Sequence, residues 1–319
     1  MKKIFVIVVL YNAEKWIDTC FASLLGSEIP VEILAIDNAS TDHTVMQLRK
    51  KYPQVKLYQS GQNLGFGKAN NLGMQYALGK GTDYVFLLNQ DASIEPATFT
   101  SLMEIHAIHP EYGILSPLHF DGSGNELDNG FYEYLVRGES GTPLVSSLLQ
   151  GAKDLKPVYA YPFINAAGWL VSRDCLEATG GFDPLFFHYG EDVNFCQRIH
   201  FHGFKLGVCP AAHMIHDRVR SFPGIDENPR VTLNRNYINF LTRAADINAP
   251  GIQFSKNFTI SSYKANMSAI GRFDLGTLIL SAKLLFRGLQ QLSCIKASRR
   301  QNKHKGRHYL EESNLPEFN

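Results

Sequence analysis

The sequence predicts a doubly wound α/β fold with a mostly parallel sheet and a C-terminal helical extension. Between Ile4 and Leu88, short apolar runs alternate with segments of helical length, the pattern of right-handed βαβ crossovers. One run, Tyr84 to Leu88 in YVFLLNQD, is unbroken and bounded by turn signals, as in a strand buried on both faces of a parallel sheet. Polar loops follow these runs, and in an open α/β sheet such loops share the carboxyl edge where ligands bind.

In chain order we expect strand Ile4 to Val9, helix Glu14 to Leu25, strand Val31 to Ile36, helix Asp42 to Lys51 and strand Val55 to Tyr58. A helix from about Gly67 to Leu78 leads into the central strand, Tyr84 to Leu88, and a further helix starts at Ser93 to Pro96 and runs to His109. A strand near Ile114 to Leu118 precedes DGSGNELDNG and a less regular stretch to about Lys156, which reads as loops over the site. Ile164 to Val171 reads as a strand, Ser172 to Thr179 as a short helix stopped by Gly180 and Gly181, and Glu191 to His202 as a helix.

Composition narrows the function classes. The 319 residues are 45% hydrophobic and 19% charged, which leaves ample material for a core. A formal net charge of +1 argues against a globally basic nucleic-acid binder. The five cysteines are scattered and include no CxxC pair, so neither structural zinc nor a disulfide framework is expected, and a reducing cytoplasm is the simplest compartment. The N-terminal run Ile4 to Leu10 is short and lacks a small-residue cleavage site, so it reads as a first strand rather than a signal peptide. No apolar stretch is long enough to cross a bilayer.

Three loops and the end of the central strand carry the candidate chemistry. Tyr11 and Asn12 follow strand one; Asp37 and Asn38 follow strand two, where Asp37 can accept hydrogen bonds from a base or ribose. Asn63 to Asn71, NLGFGKANN, brings glycines to a helix start, where exposed NH groups favour anions. Its GxG fragment lacks the third glycine of a dinucleotide fingerprint, which disfavours a nicotinamide enzyme. Asp91, with the amide oxygen of Asn89 two residues earlier, can hold a hard divalent cation that in turn holds phosphate; it can equally serve as a helix cap. Glu191 and Asp192 sit in the first turn of a helix, where acids are common. The aromatic approach of Phe182, Phe186, Phe187, His188 and Tyr189 adds a partly desolvated setting that suits a general base.

VVLYN, DNAS, NLGFGKANN, LLNQDA and GGFDPLFFHYGEDVNFCQR followed by HMIH, in this order over about residues 4 to 240, resemble the inverting glycosyltransferases of family 2 with the A-type fold. The likeness is to rhamnosyl- and galactofuranosyltransferases in particular. It implies that Tyr11, Asn12, Asp37 and Asn38 contact the base and ribose of a nucleotide-sugar donor, and that Asn63, Gly65 and Asn70 belong to the nucleotide cradle with Asn89 nearby. It makes Asp91 the last aspartate of the DxD metal motif, Asp192 the catalytic base, and His216 the histidine completing the site of a divalent cation, Mn²⁺ or Mg²⁺. His213 is the competing histidine.

The chain departs from the family at Asn89, where the first Asp of DxD is lost, and at Asn194, where many members carry a further acid. It lacks the QxxRW signature and the membrane spans of processive synthases, which implies addition of a single sugar. The resemblance therefore implies a catalytic domain over residues 1–250 that transfers a rhamnose-like sugar from a TDP- or UDP-sugar to a glycan or lipid-linked acceptor, with no nucleic-acid partner. A nucleotidyltransferase and a non-catalytic nucleotide-sugar-binding subunit are the alternatives. Trp169 reads as core and Arg235 as part of a solvated helix face.

Residues 251–319 form a C-terminal helical segment with a basic tail. Leu275, Leu278, Ile279, Ala282, Leu285, Phe286, Leu289 and Leu292 recur at helical spacing, followed by Lys296, Arg299, Arg300, Lys303, Lys305 and Arg307. This pattern fits a helix on an anionic membrane, at the inner face of a cell's membrane, and fits equally a helix packed on the main domain or on a second copy of the chain.

Overall fold

The computed structural model describes residues 2–136, 142–151, 155–218, 229–252, 274–310 and 318. Its parallel half runs in the order β3-β2-β1-β4, built from β1 (Ile4–Leu10), β2 (Glu32–Asp37), β3 (Lys56–Gln59) and β4 (Tyr84–Asn89). Helices α1 (Ile17–Leu25), α2 (Thr44–Lys51) and α3 (Phe66–Gly79) make the crossovers. Along β1 the side chains alternate between two cores, Ile4, Val6, Val8 and Leu10 facing one and Phe5 and Ile7 the other. That alternation is why the strand reads as a continuous apolar run. Gly73 lets α3 close on β1, since a Cβ there would lie 2.8 Å from Ile7.

The doubly wound α/β class expected from the sequence is the architecture found, and beyond β4 the sheet becomes mixed. β8 (Gly168–Ser172) lies antiparallel to β4, followed by β6 (Tyr112–Asp121), β9 (Lys205–His216) and β5 (Ala92–Ile94), with β7 (Tyr159–Tyr161) paired to β9. The helix start expected at Ser93 to Pro96 lies at Thr98, as α4 (Thr98–Ile108), and Ala92 to Ile94 are drawn into antiparallel pairing with Met214 to His216. β9 tolerates Pro210 because its register with β6 shifts between Pro117/Cys209 and Leu118/His213, so the proline falls in the irregular stretch. The stretch after β6 read as loops contains α5 (Asn129–Val136) and α6 (Thr142–Leu149).

The remaining helices among the described residues are α7 (Arg173–Thr179), α8 (Glu191–Phe201), α9 (Pro229–Ala245), α10 (Leu275–Gln290) and α11 (Leu292–Asn302). Phe186, Leu233, Tyr237, Phe240, Leu241, Leu284 and Ile295 form a third apolar cluster joining α9, α10 and α11 to the loop before α8. Part of the basic run is structural rather than solvated. Arg299 is 7% exposed and donates to the carbonyls of Ala244, Asp246 and Ala249, satisfying the open end of α9. Arg307 pairs with Glu177.

Three buried polar links fix the approach to α8. Asn71 of α3 donates to the Phe182 carbonyl at 2.8 Å and accepts from the Phe182 amide at 2.7 Å. Arg198 donates to the carbonyls of Thr179 and Gly181 at 2.6 and 2.5 Å. Asp183 accepts from Ser298, Asn302 and Tyr309. Asn71→Leu would strand a backbone donor and acceptor in the core, so we expect a loss of about 2–4 kcal/mol of stability, read as a lower urea midpoint with unchanged slope.

Candidate active site

The site grows from the end of β4. Asp91 follows that strand and immediately precedes β5, whose Ala92 pairs with His216 across the β5–β9 ladder. The pairing places His216 Nε2 3.4 Å from Asp91 Oδ1 and 3.4 Å from Asn89 Nδ2. The Asp217 amide then donates to the Asp91 carbonyl at 2.8 Å, so both strands are locked at the point of closest approach. His213 sits elsewhere, its ring between Glu95 and the Pro210 carbonyl, and it does not face Asp91. Burial raises the Asp91 pKa, but the His216 hydrogen bond and charge more than reverse this and hold the carboxyl below its usual range.

Behind His216 stands Asp128, a residue sequence reasoning missed. Its Oδ2 lies 3.9 Å from His216 Nδ1, a buried nitrogen that makes no hydrogen bond. Asp128 is itself gripped by both ends of the Arg218 guanidinium, and its Oδ1 accepts the Phe131 amide at 2.8 Å, capping α5. In the sequence LDNG falls in a stretch that reads as loops, so nothing there pointed to Asp128. These groups line an open cleft of about 790 Å³ together with Asp121, Tyr132 and Tyr134. Asp217, also missed, lines the same cleft and accepts from the Trp16 indole at 3.1 Å and from Lys15 at 3.2 Å.

Glu191 and Asp192 open α8, behind Gly190 in the left-handed region at φ 85 and Tyr189 at φ 66. A Cβ on Gly190 would meet Ile238 and Thr242 of α9 at 2.9 Å, so the turn is pinned by packing as well as by its dihedral. The Asp192 carboxyl lies in a poorly hydrated setting although the residue keeps some exposure, and burial raises its pKa to about 6 against the Val193 amide at 2.8 Å, which favours the anion. Glu191 is driven higher, to about 7, by burial first and by the Asp192 charge second; its Oε2 is buried without a hydrogen bond. Tyr134 on the cleft wall is shifted up by burial and then by the Asp192 charge. Asn194, the position of a further acid in the family pattern, accepts from Arg198 at 3.0 Å.

The expected nucleotide loops meet along the same sheet edge and bond to one another. Asn12 accepts from the Thr41 amide, and its own amide donates to Ser40. Asp37 is buried and accepts from the Ser40 amide. Asn38 is spent inside the scaffold, accepting from Leu64 at 2.7 Å and donating to Asn63 and the Gly65 carbonyl. Asn70 is turned back to the Phe66 carbonyl within α3. Gln90 clamps the backbone of Tyr11, whose side chain is exposed. Gly65, at φ 78, could not carry a side chain, because a Cβ would lie 2.3 Å from the Phe187 carbonyl. Asn12 and Ala39 also hold positive φ, at 49 and 66. Trp169 is fully buried and stacks on Phe182 and Phe195, as a core residue. Tyr189 and Arg235 are exposed.

Asp91 and His216 present one carboxylate oxygen and one imidazole nitrogen to a shared point, with Asp128 behind the other ring nitrogen in the outer-shell position of metal-binding histidines. No cluster of three or more His, Cys, Asp or Glu side chains with metal-holding geometry occurs among the described residues. The pair fits a divalent cation completed by phosphate oxygens and water, not a closed structural metal site. Asp128→Ala removes the α5 cap and frees Arg218, whereas Asp128→Asn keeps a capping oxygen. We expect the alanine variant to lose about 1–2 kcal/mol and the asparagine variant less than half of that, compared by thermal melting.

Residues 5–176 match the family model described as glycosyl transferase family 2. An N-acetylglucosaminyl-diphospho-decaprenol L-rhamnosyltransferase of Mycobacterium tuberculosis is 30% identical over 237 residues, covering 68% of this chain and 76% of its own length. The dTDP-rhamnosyl transferase RfbF of Shigella flexneri is 25% identical over 221 residues, covering 67% and 68%. Among solved structures, the mannosyltransferase PcManGT of Pyrobaculum calidifontis, in complex with GDP-Man and Mn²⁺, has a TM-score of 0.55 at 20% identity, covering 97% of this chain and 84% of that one. TarS residues 1–349 of S. aureus, in complex with UDP-GlcNAc, reach a TM-score of 0.54 at 15% identity, covering 94% and 89%. These two likenesses show the fold, and the family match and the 30% relative show descent: the chain belongs to glycosyl transferase family 2 and is a glycosyltransferase.

Proposed function

We propose that this glycosyltransferase is inverting and metal-dependent, and that it moves one sugar, rhamnose or a close analogue, from a nucleoside diphosphate to a glycan or lipid-linked glycan. The observation that carries the reading is the convergence of Asp91 and His216, 3.4 Å apart at the carboxyl edge of β4. The cradle loops run along that edge, and the acid pair opens α8. The sugar and acceptor classes are supported by the relatives, one of which is a dTDP-rhamnosyl transferase and another a rhamnosyltransferase whose name gives a diphospho-decaprenol acceptor. A lipid-linked acceptor would require the enzyme to work at a membrane face.

In this reading Asp91 and His216 would hold a divalent cation, with the Asp128 carboxylate 3.9 Å from the other ring nitrogen of His216. The cation, when bound, supplies a Lewis acid that stabilises charge on the departing nucleoside diphosphate. Asn89 contributes a neutral amide where an additional carboxylate would raise the site's negative charge. Asp192 takes the proton from the acceptor hydroxyl as that oxygen attacks the anomeric carbon from the face opposite the leaving group, which inverts the centre. With a pKa near 6, Asp192 is mostly ionised at neutral pH yet remains a usable base.

Release of nucleoside diphosphate from a panel of TDP- and UDP-sugars, with acceptor, with Mn²⁺ or Mg²⁺ and with EDTA, tests this. We expect one preferred donor, loss of turnover in EDTA, and a fall of about 10²–10⁴ in kcat for Asp192→Asn with donor Kd changed less than about twofold. Unaltered turnover in EDTA would remove the metal role, and a matching loss of donor affinity in Asp192→Asn would remove its role as base.

The pH profile separates the two acids. Because the base acts in its ionised form, kcat/KM should fall about tenfold per unit below pH 6 and level off above 7. Glu191→Gln should keep that acidic limb, while any residual activity of Asp192→Asn should lack it.

A further inference from the structure

We infer that the outer face of α10, with the basic end of α11, is a docking surface for an anionic lipid membrane. α10 is apolar on two sides. Its inner stripe, Thr277, Ser281, Leu284 and Gly288, is buried, and Gly288 allows close approach to α9, a Cβ there lying 3.3 Å from Phe240. Other large apolar side chains of the helix point the other way. Leu275 is 67% exposed, Ile279 46%, Phe286 62% and Leu289 63%, and with the exposed Ala282 they form one stripe along the helix. Leu284 and Leu280 anchor the helix in the third apolar cluster, yet several large apolar side chains stay outside it, more than a helix partnered only by its own domain leaves exposed.

Charge identifies what covers this stripe. Residues 275–310 carry eight Lys or Arg and no Asp or Glu, in a chain whose formal net charge is +1. Arg299 and Arg307 are engaged inside the protein, but Lys283 is exposed beside the stripe. Lys296, Arg300, Lys303 and His304 are exposed on and just beyond α11, around a shallow pocket of about 550 Å³. The acid preceding α10, Asp274, caps that helix and pairs with Arg230. An apolar stripe beside clustered cations matches a surface that offers acyl chains and phosphates together. A second copy of this chain would set the same cations against each other. The helix cannot span a bilayer: no helix among the described residues is long and apolar enough.

The docking face is coupled to the acid pair through a single layer. α9 packs against α10 on one side and against Gly190, at the start of α8, on the other. At 8–10 Å per helix contact, the lipid-facing stripe lies roughly 20 Å from Asp192.

Co-sedimentation of the full chain with vesicles, without donor or acceptor, tests the surface independently of the transferase reading. The probes are phosphatidylcholine vesicles with and without 30% phosphatidylglycerol, on the order of the anionic content that recruits basic segments. We expect binding to the anionic vesicles at low salt and at least tenfold weaker partition to neutral ones. Phe286→Glu with Leu289→Glu, and separately Lys296→Glu with Arg300→Glu, should each lower partition at least tenfold while leaving the urea midpoint unchanged. Equal partition to both vesicle types, no binding of the wild type, or variants that bind like the wild type would overturn the proposal. So would a dimer in light scattering that Phe286→Glu dissociates in the absence of vesicle binding, since that result gives the face to a second copy.

Discussion

The candidate site depends on one short pairing, the three-residue antiparallel ladder between β5 and β9. Ala92 sits opposite His216, and this register alone brings the residue after the central strand to a histidine far away in sequence. A slip of one position would turn His216 to the other face of the sheet, because side chains alternate along a strand. The ladder is held at its end by the Asp217 amide on the Asp91 carbonyl, and the bulge near Pro210 lets β9 reach β5 after pairing with β6 and β7. Asp128 and Arg218 then close the cleft from outside the ladder.

The acid pair is positioned by a different set of forces. Asn71, Arg198 and Asp183 each place buried hydrogen bonds on the segment between Thr179 and Asp183, and the apolar cluster around Phe186 and Phe240 presses α9 on the same loop. Each is costly to break because the stranded groups lie away from water. The C-terminal helices therefore contribute to the support of α8 and to an exposed apolar stripe at once.

Electrostatics separates the carboxyls of the site. Asp91 is held low, with the His216 partner outweighing its burial, while Asp192 and Glu191 are driven up by desolvation. A permanent anion suits a cation and diphosphate, whereas a carboxyl titrating near neutrality suits proton transfer. The chain obtains both from ordinary acids by giving them different surroundings.

The alternation of strands and crossovers, the sheet edge and the residue types that meet there are legible in the chain's amino-acid order, because apolar periodicity and turn chemistry are local properties. His216 and Asp192 were singled out by the family resemblance, with the aromatic approach to α8 adding to the case for Asp192. The β-strand at Ala92 to Ile94, the partnership of Asp128 with His216 and Arg218, and the burial of Arg299 lay beyond the sequence. Each of those is a contact between distant segments, with no periodic signature in either one. They emerge on folding, because the free energy of a strand pair, a buried ion pair or a capped helix end resides in the partner that folding brings.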